Sequence, residues 1–448
     1  MASRLDLHIT DYQLFFRNKT KEFFDKAKKY TYGLFTSSDR NIERICESLP
    51  ETNYHQMQHF VSDSNWDARA VMNKVAQDTS FLLPSRKLTG LIIDETGIAK
   101  KGDKSVGVGW QYCGNLGKVS NSQVAVIACL SNGDFASMVD ARLFLPKDWC
   151  NSPGRCNVAK IPEQDREFKS KTELAYDIAL NQLELGTGFD FVGADGFYGN
   201  DPELADKLND LGCLYMLDIH SDQFIFFEEP ELVVPERKSS RGRKPKNRKP
   251  DVPSIRVDKY CQTLSKNDWK EIKVRNTAKG ILKGKYHFCM VYVYNKIRNT
   301  FENRLLVIRK IKTKNGIETK YSFTNANLVQ YTEKAIAYMQ AQRFFVEHCI
   351  KECKYVLGMD QFQTRKWQAW HHQIALNIMV ACFILKEKLA NFWKIPLLSA
   401  ADIKEWICFK LYRRMTDNEM IALIIDRHFK RQADINRYYE KQFRNVLK

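Results

Sequence analysis

The sequence predicts an α/β protein with a mixed β-sheet at its centre. Short apolar runs bounded by turn residues come first, and strand-like and helix-like segments then alternate. Polar helical periodicity at both ends predicts helical regions flanking that core.

Taken in order, residues 1–85 read as a polar helical region. Residues 86–222 form the first part of the core. In it Leu91-Ile92-Ile93, between Gly90 and Gly97, reads as a buried strand ending at Asp94. Further strands are expected at Gly109 to Cys113, Gln123 to Leu130 and Ala136 to Leu145. Lys171 to Leu185 has helical spacing through Leu174, Ile178 and Leu183, with Glu173 near its start. Phe189 to Ala194 is a strand that ends in Asp195, and Cys213 to Ile219 is another. Residues 223–326 change character to a basic, β-rich insertion with strands at Tyr286 to Tyr294 and Leu305 to Lys310. Within it, residues 237–249 carry eight Lys or Arg in thirteen positions, a composition expected to form a flexible loop. Helix returns over about Leu328 to Lys388, so residues 327–390 would complete the core and 391–448 form a basic helical end. No internal repeat is present.

Composition narrows the class of function. Apolar residues at 44% and charged residues at 27% describe a globular chain rather than a disordered one. The excess of 70 Lys+Arg over 53 Asp+Glu gives a net charge of +17, which favours a polyanionic partner through counterion release. The twelve cysteines form no CxxC pair, and Cys349/Cys353 and Cys150/Cys156 are spaced unlike a zinc knuckle. Neither a signal peptide nor an apolar run of membrane-spanning length is read, so a cytoplasmic protein with reduced thiols is expected.

Chemistry is sought first in Asp94 and Asp195, each closing a predicted core strand. Either alone reads as a turn or N-cap aspartate. As a pair in a basic protein they call for a third carboxylate, because two-metal phosphoryl transfer needs several hard oxygen ligands. Glu347 is the candidate. On a helix over residues 340–360 it lies about 40° round from Arg343, and Lys354 about 20° round, so all three share a face. Such a face is otherwise an ordinary solvated surface. Glu95 competes with Asp94, since successive strand side chains alternate in direction.

The order Asp94, Asp195, then Arg343-x3-Glu347-x6-Lys354 resembles the insertion-sequence transposases, whose signature is Tyr-x2-Arg-x3-Glu-x6-Lys. Gln340 stands at the tyrosine position, a departure for which Tyr338 is only a weak substitute. The stretches MQHFVSDSNWD (57–67), IIDETGIAKKGDKSVGVGWQYCGNLGKVSNSQVAV (92–126), GADGFYGNDPEL (193–204) and LGMDQFQTRKWQAWHH (357–372) look like the insertion sequence 701 family in particular. The resemblance runs to about residue 385. It implies a ribonuclease H-like catalytic core interrupted by the β-rich insertion, with Asp94, Asp195 and Glu347 holding two Mg2+ ions, or Mn2+ as a substitute. It implies double-stranded DNA as partner, at terminal inverted repeats and at a target, with residues 1–85 serving DNA binding or dimerisation. A homodimer in the synaptic complex and a nucleoid-associated bacterial location follow from the same resemblance.

Arg343 and Lys354 would grip phosphates, and Arg241, Arg243, Lys244, Lys246, Arg248 and Lys249 would contact DNA from the basic loop. Arg241-Gly242-Arg243-Lys244-Pro245 is reminiscent of an AT-hook, with Lys244 intervening before the proline. His371-His372 reads as packing beside Trp367 and Trp370. Tyr438-Tyr439 lacks the companions of a tyrosine recombinase, and Gly107-x-Gly109 lacks those of a dinucleotide site. Two other readings stand beside the transposase: a DNA-binding protein that does not cut, and a structure-selective nuclease on the same fold.

Overall fold

A computed structural model describes residues 2–49, 51–83, 87–235, 246–277, 280–313, 316–395, 397–411 and 416–446. Five helices open the chain: α1 (Ala2–Thr10), α2 (Phe24–Thr36), α3 (Ile42–Ser48), α4 (Tyr54–Ser62) and α5 (Ala68–Leu82). Asn41, Asn53 and Asp67 cap the last three by accepting from the backbone N–H groups of Arg44, Gln56 and Ala70.

The strands that follow are β1 (Gly90–Ala99), β2 (Gly109–Cys113), β3 (Lys118–Ser131) and β4 (Ala136–Leu143). Helix α6 (Lys171–Glu184) starts on a capping box made by Ser170 and Glu173. Next come β5 (Phe191–Ala194), α7 (Pro202–Asp210) and β6 (Tyr215–Ile219). The β-rich segment supplies β7 (Lys270–Thr277), β8 (Gly280–Asn295), β9 (Thr300–Thr313) and β10 (Gly316–Thr324). Helices α8 (Glu333–Ala341), α9 (Phe344–Leu357), α10 (Trp367–Ala390), α11 (Ala400–Leu411) and α12 (Asp417–Val446) complete the chain.

All ten labelled strands belong to one mixed sheet, in the order β7-β8-β9-β10-β6-β5-β1-β3-β2, with β4 also paired to β3. Only β1–β5 and β5–β6 pair in parallel. The strands of the β-rich segment therefore extend the core sheet, through β10 and β6, rather than making a sheet of their own. On one face, Ile92, Phe191 and Met216 pack toward the N-terminal helices, α9 and α10. On the other, Leu91, Ile93, Val192 and Leu217 pack with α6 and α7. Helix α10 is buried on nearly every side from Ala369 to Leu385, and Arg4 of α1 locks onto its Glu387 through a fork of 2.7 and 2.6 Å. His372 stacks on Trp66 at 3.8 Å, and His371 lies against Trp367, so the pair packs as expected.

Two expectations need correction. The strand carrying Asp94 does not end there, because antiparallel pairing with β3 carries it on to Ala99. What ends is the parallel ladder with β5, at Ile93 opposite Ala194. Nor is residues 328–388 one helix. It breaks at Gln342, whose side chain donates to the Leu88 carbonyl at 2.8 Å, and again at Gly358, where φ is +62°.

Gly199 closes the helical turn after Asp195 against β6, and a Cβ there would meet the Asp218 carbonyl oxygen at 1.9 Å. Gly199→Ala is expected to destabilise the fold by about 3 kcal/mol, as overpacking against an unyielding backbone does. Gly154→Ala, where nothing lies within 4 Å, should be neutral or better. Thermal unfolding of both variants checks this; equal melting temperatures would contradict it.

Candidate active site

Register explains why the carboxylates meet. The last row of the parallel ladders joins Ile93, Ala194 and Leu217 on β1, β5 and β6. One step on, the same row reads Asp94, Asp195 and Asp218. Side chains alternate along strands, so these aspartates share the face of Ile92 and Met216, the face that α9 covers. The C-terminal ends of parallel strands are where open α/β sheets place their sites. Glu95 falls on the opposite face, where its carboxylate pairs with Lys171 of α6 at 2.8 Å.

Arg343 stands at the start of α9 and reaches into this row. Its Nε lies 3.2 Å from Asp218 Oδ2, its Nη1 3.8 Å from Asp94 Oδ2 and its Nη2 2.9 Å from Glu347 Oε1. Asp195 accepts from the Phe197 N–H at 3.0 Å, so one of its oxygens also caps the turn Gly196–Gly199. Asp218 accepts from Ser322 Oγ at 2.6 Å, and Ser322 accepts from Gln340 Nε2 at 2.7 Å.

The charges strain against one another. Burial, and next the neighbouring Asp195, push Asp94 up to about 7, while the Glu95 N–H and Arg343 pull the other way. Burial likewise raises Asp218 against the opposing help of Ser322 and Arg343. Burial works against the Arg343 cation, yet Asp218, Glu347, Asp94 and Asp195 together raise it above its ordinary value.

The candidate residues are thus partly assembled. Asp94 and Asp195 adjoin, and Glu347 is linked to Asp94 through the Arg343 guanidinium. Among the described residues no three His, Cys, Asp or Glu are arranged to hold one ion. The donor set nonetheless fits a hard divalent cation: it is all carboxylate oxygen, and the repulsion within the row is what such a charge relieves. Lys354 lies elsewhere on α9, donating to the Gly97 carbonyl of β1 at 3.2 Å. Arg241, Arg243 and Lys244 lie outside the described residues. Lys246, Arg248 and Lys249 are exposed, and Lys249 pairs with Val233 in a two-residue ribbon. Tyr338 turns away from the row to donate to the Asn132 carbonyl.

The sequence reading missed Asp218, although Tyr215-Met216-Leu217-Asp218 repeats the pattern of an apolar strand running into an aspartate. It also missed Arg275, Arg309 and Lys320. These strand residues line a cleft of about 560 Å³ shared with Asp218, Arg343 and Glu347.

Between about pH 4 and pH 7 the folded chain keeps a proton on Asp94 that the unfolded chain has lost, so stability falls as pH rises through that window. Asp94→Asn removes the penalty. In chelator, the variant should be more stable than the parent at pH 8 and not at pH 4, by denaturant titration at both pH values. A difference independent of pH would contradict the assignment.

Known proteins bear on the family of the chain, and the family match ends before Arg343 and Glu347. Residues 12–281 match the family described as DDE superfamily endonuclease. A probable transposase for insertion sequence element IS701 from Microchaete diplosiphon is 28% identical over 207 residues, 45% of this chain and 50% of that protein. The chain thus spans about half the length of that curated relative. A cryo-EM structure of a piggyBac transposase synaptic complex with hairpin DNA superposes at a TM-score of 0.40 and 11% identity, over 92% of this chain and 76% of that one. The NurA nuclease from Sulfolobus solfataricus does so at 0.26 and 8%, over 73% and 94%. Both structural similarities are too slight to carry an inference.

Proposed function

We propose that this chain, which belongs to the DDE superfamily endonucleases, is a DNA transposase of the insertion sequence 701 type. On this reading it cuts the ends of a mobile element and joins the freed 3′-hydroxyls to target DNA. The observation that supports it best is the aspartate row on β1, β5 and β6, with Glu347 tied to it through Arg343.

Asp94, Asp195 and Glu347 would hold two Mg2+ ions, or Mn2+, which supply an activated water and stabilise the leaving oxygen. The chain's own residues do the rest. The three carboxylates must be ionised together, and Arg343 makes that tolerable by pairing with Asp94 and Glu347 and by its charge near Asp195. Arg275, Arg309 and Lys320 line the adjoining cleft with the charge a phosphodiester backbone needs. Lys354, fixed against β1, would contact a phosphate farther along the strand. No protein nucleophile is required, because water and then the 3′-hydroxyl attack in turn. Double-stranded DNA at the element's terminal repeats and at the target would be the partner. Two ends to be brought together suggest a homodimer. No helix among the described residues is long and apolar enough to cross a membrane.

One rival is a DNA-binding protein that does not cut. Incubation with a labelled element end separates the readings. Mg2+-dependent nicking is expected, with Asp195→Ala or Glu347→Ala lowering it by about 10³-fold or more while duplex binding survives. Unimpaired cleavage by the double variant contradicts the assignment. Cleavage with no joining to target DNA would leave a nuclease.

The basic segment has its own test. Changing Lys246, Arg248 and Lys249 to Ser should lower the slope of log affinity against log salt by up to about 3 if each neutralises a phosphate. An unchanged slope removes the segment from the interface.

A further inference from the structure

We propose that Asp218 is a positioning residue of this site. It anchors Arg343 through Nε, leaving Nη1 and Nη2 to pass between the carboxylates of Asp94 and Glu347 and a DNA phosphate. The inference rests on the reading of Asp94, Asp195 and Glu347 given above, and it concerns a residue outside that set.

Three different nitrogens of Arg343 meet three different carboxylates, and the Nε contact at 3.2 Å goes to Asp218. A guanidinium is a rigid planar fork, so fixing its Nε edge fixes the directions of both Nη groups. Asp218 is suited to the anchor because side chains engage both of its oxygens: Oδ1 accepts from Ser322 and Oδ2 faces Arg343. That partnering suits the ionised carboxylate, which accepts on both oxygens.

The anchor is itself held. Ser322 stands opposite Asp218 in the β10–β6 register, is fully buried, and accepts from Gln340 at the end of α8. Gln340 is 3% exposed and occupies the place where the transposase signature has tyrosine. In this chain that position thus heads a relay, Gln340 to Ser322 to Asp218 to Arg343, buried at its first two members and drawn from α8, β10, β6 and the start of α9. Without the anchor, Arg343 would be left paired only with carboxylates that a divalent cation must claim. It would then leave the site when they are occupied, or block their occupation. With the anchor it stays, and its outer nitrogens exchange a carboxylate for a phosphate.

The test uses the full chain. Asp218→Asn keeps the size and removes the charge. Single-turnover cleavage of an element end should fall about 10²-fold, as misplacement of a catalytic contact does, with duplex affinity nearly unchanged. In an Arg343→Ala background the same substitution should cause no further loss, the mark of a residue acting through another. Losses that multiply would overturn the proposal. Independently of activity, protein labelled with 15N-arginine should show an Arg343 Nε–H resonance, identified by its loss in Arg343→Lys. It should move in Asp218→Asn and persist in the parent on adding Mg2+. A resonance indifferent to Asp218 also overturns the proposal. If Asp218→Asn fails to fold, Ser322→Ala carries both readouts, with a smaller shift and a smaller loss expected. A resonance that behaves as described in a parent that never cuts DNA would refute the transposase reading and leave the anchor standing.

Discussion

Parallel strands in register set equivalent positions side by side, and here that places three aspartates in one row. Adjacent strands lie about 4.8 Å apart, so neighbouring carboxylates at that spacing repel strongly once water is excluded. The guanidinium of Arg343 is the counterweight. It touches two members of the row and Glu347 as well, and it is raised above its ordinary value by all four acids. A half-buried cation shared among several acids is costly to remove and easily redirected, since another positive charge can take over part of its work.

The surroundings follow from placing that arginine. Helix α8 must stop at Ala341 and α9 begin at Phe344 for Arg343 to enter the row from the helix start. Gln342, in the break itself, is secured on the Leu88 carbonyl, and Gln340, in the last turn before it, on Ser322. The β-rich segment contributes as well. Its strand β10 pairs with β6 and brings Ser322 to Asp218, so the segment that interrupts the core in sequence completes the support of the site in space. Strand alternation keeps Glu95 out of the row, and on the far face Lys171 neutralises it.

Much of this is legible in the sequence. The strands, the helix over Lys171–Glu184 and the aspartates at the ends of apolar runs follow from local periodicity, which a linear reading senses directly. The membership of β7 to β10 in the same sheet was not legible, because sheet partnership is set by long-range pairing that composition does not encode. Asp218 escaped for a related reason. Its significance lies in sharing a register row with Asp94 and Asp195, not in any spacing along the chain. The angular argument for Arg343 and Glu347 reached a real contact of 2.9 Å. It assumed one continuous helix through both, whereas Arg343 sits at the helix start. Lys354, on the same nominal face, meets β1 at Gly97 instead.

Arg343 must yield its carboxylates to metal while keeping its place. The most direct measurement is a crystal structure of the chain with an element-end duplex and Mn2+, using anomalous scattering to locate the ions. Two manganese peaks about 3.5–4 Å apart, ligated by Asp94, Asp195 and Glu347, with Arg343 on Asp218 and a phosphate, are the expected result. Manganese absent from the aspartate row, with Arg343 still bound to Glu347 beside the duplex, would contradict it.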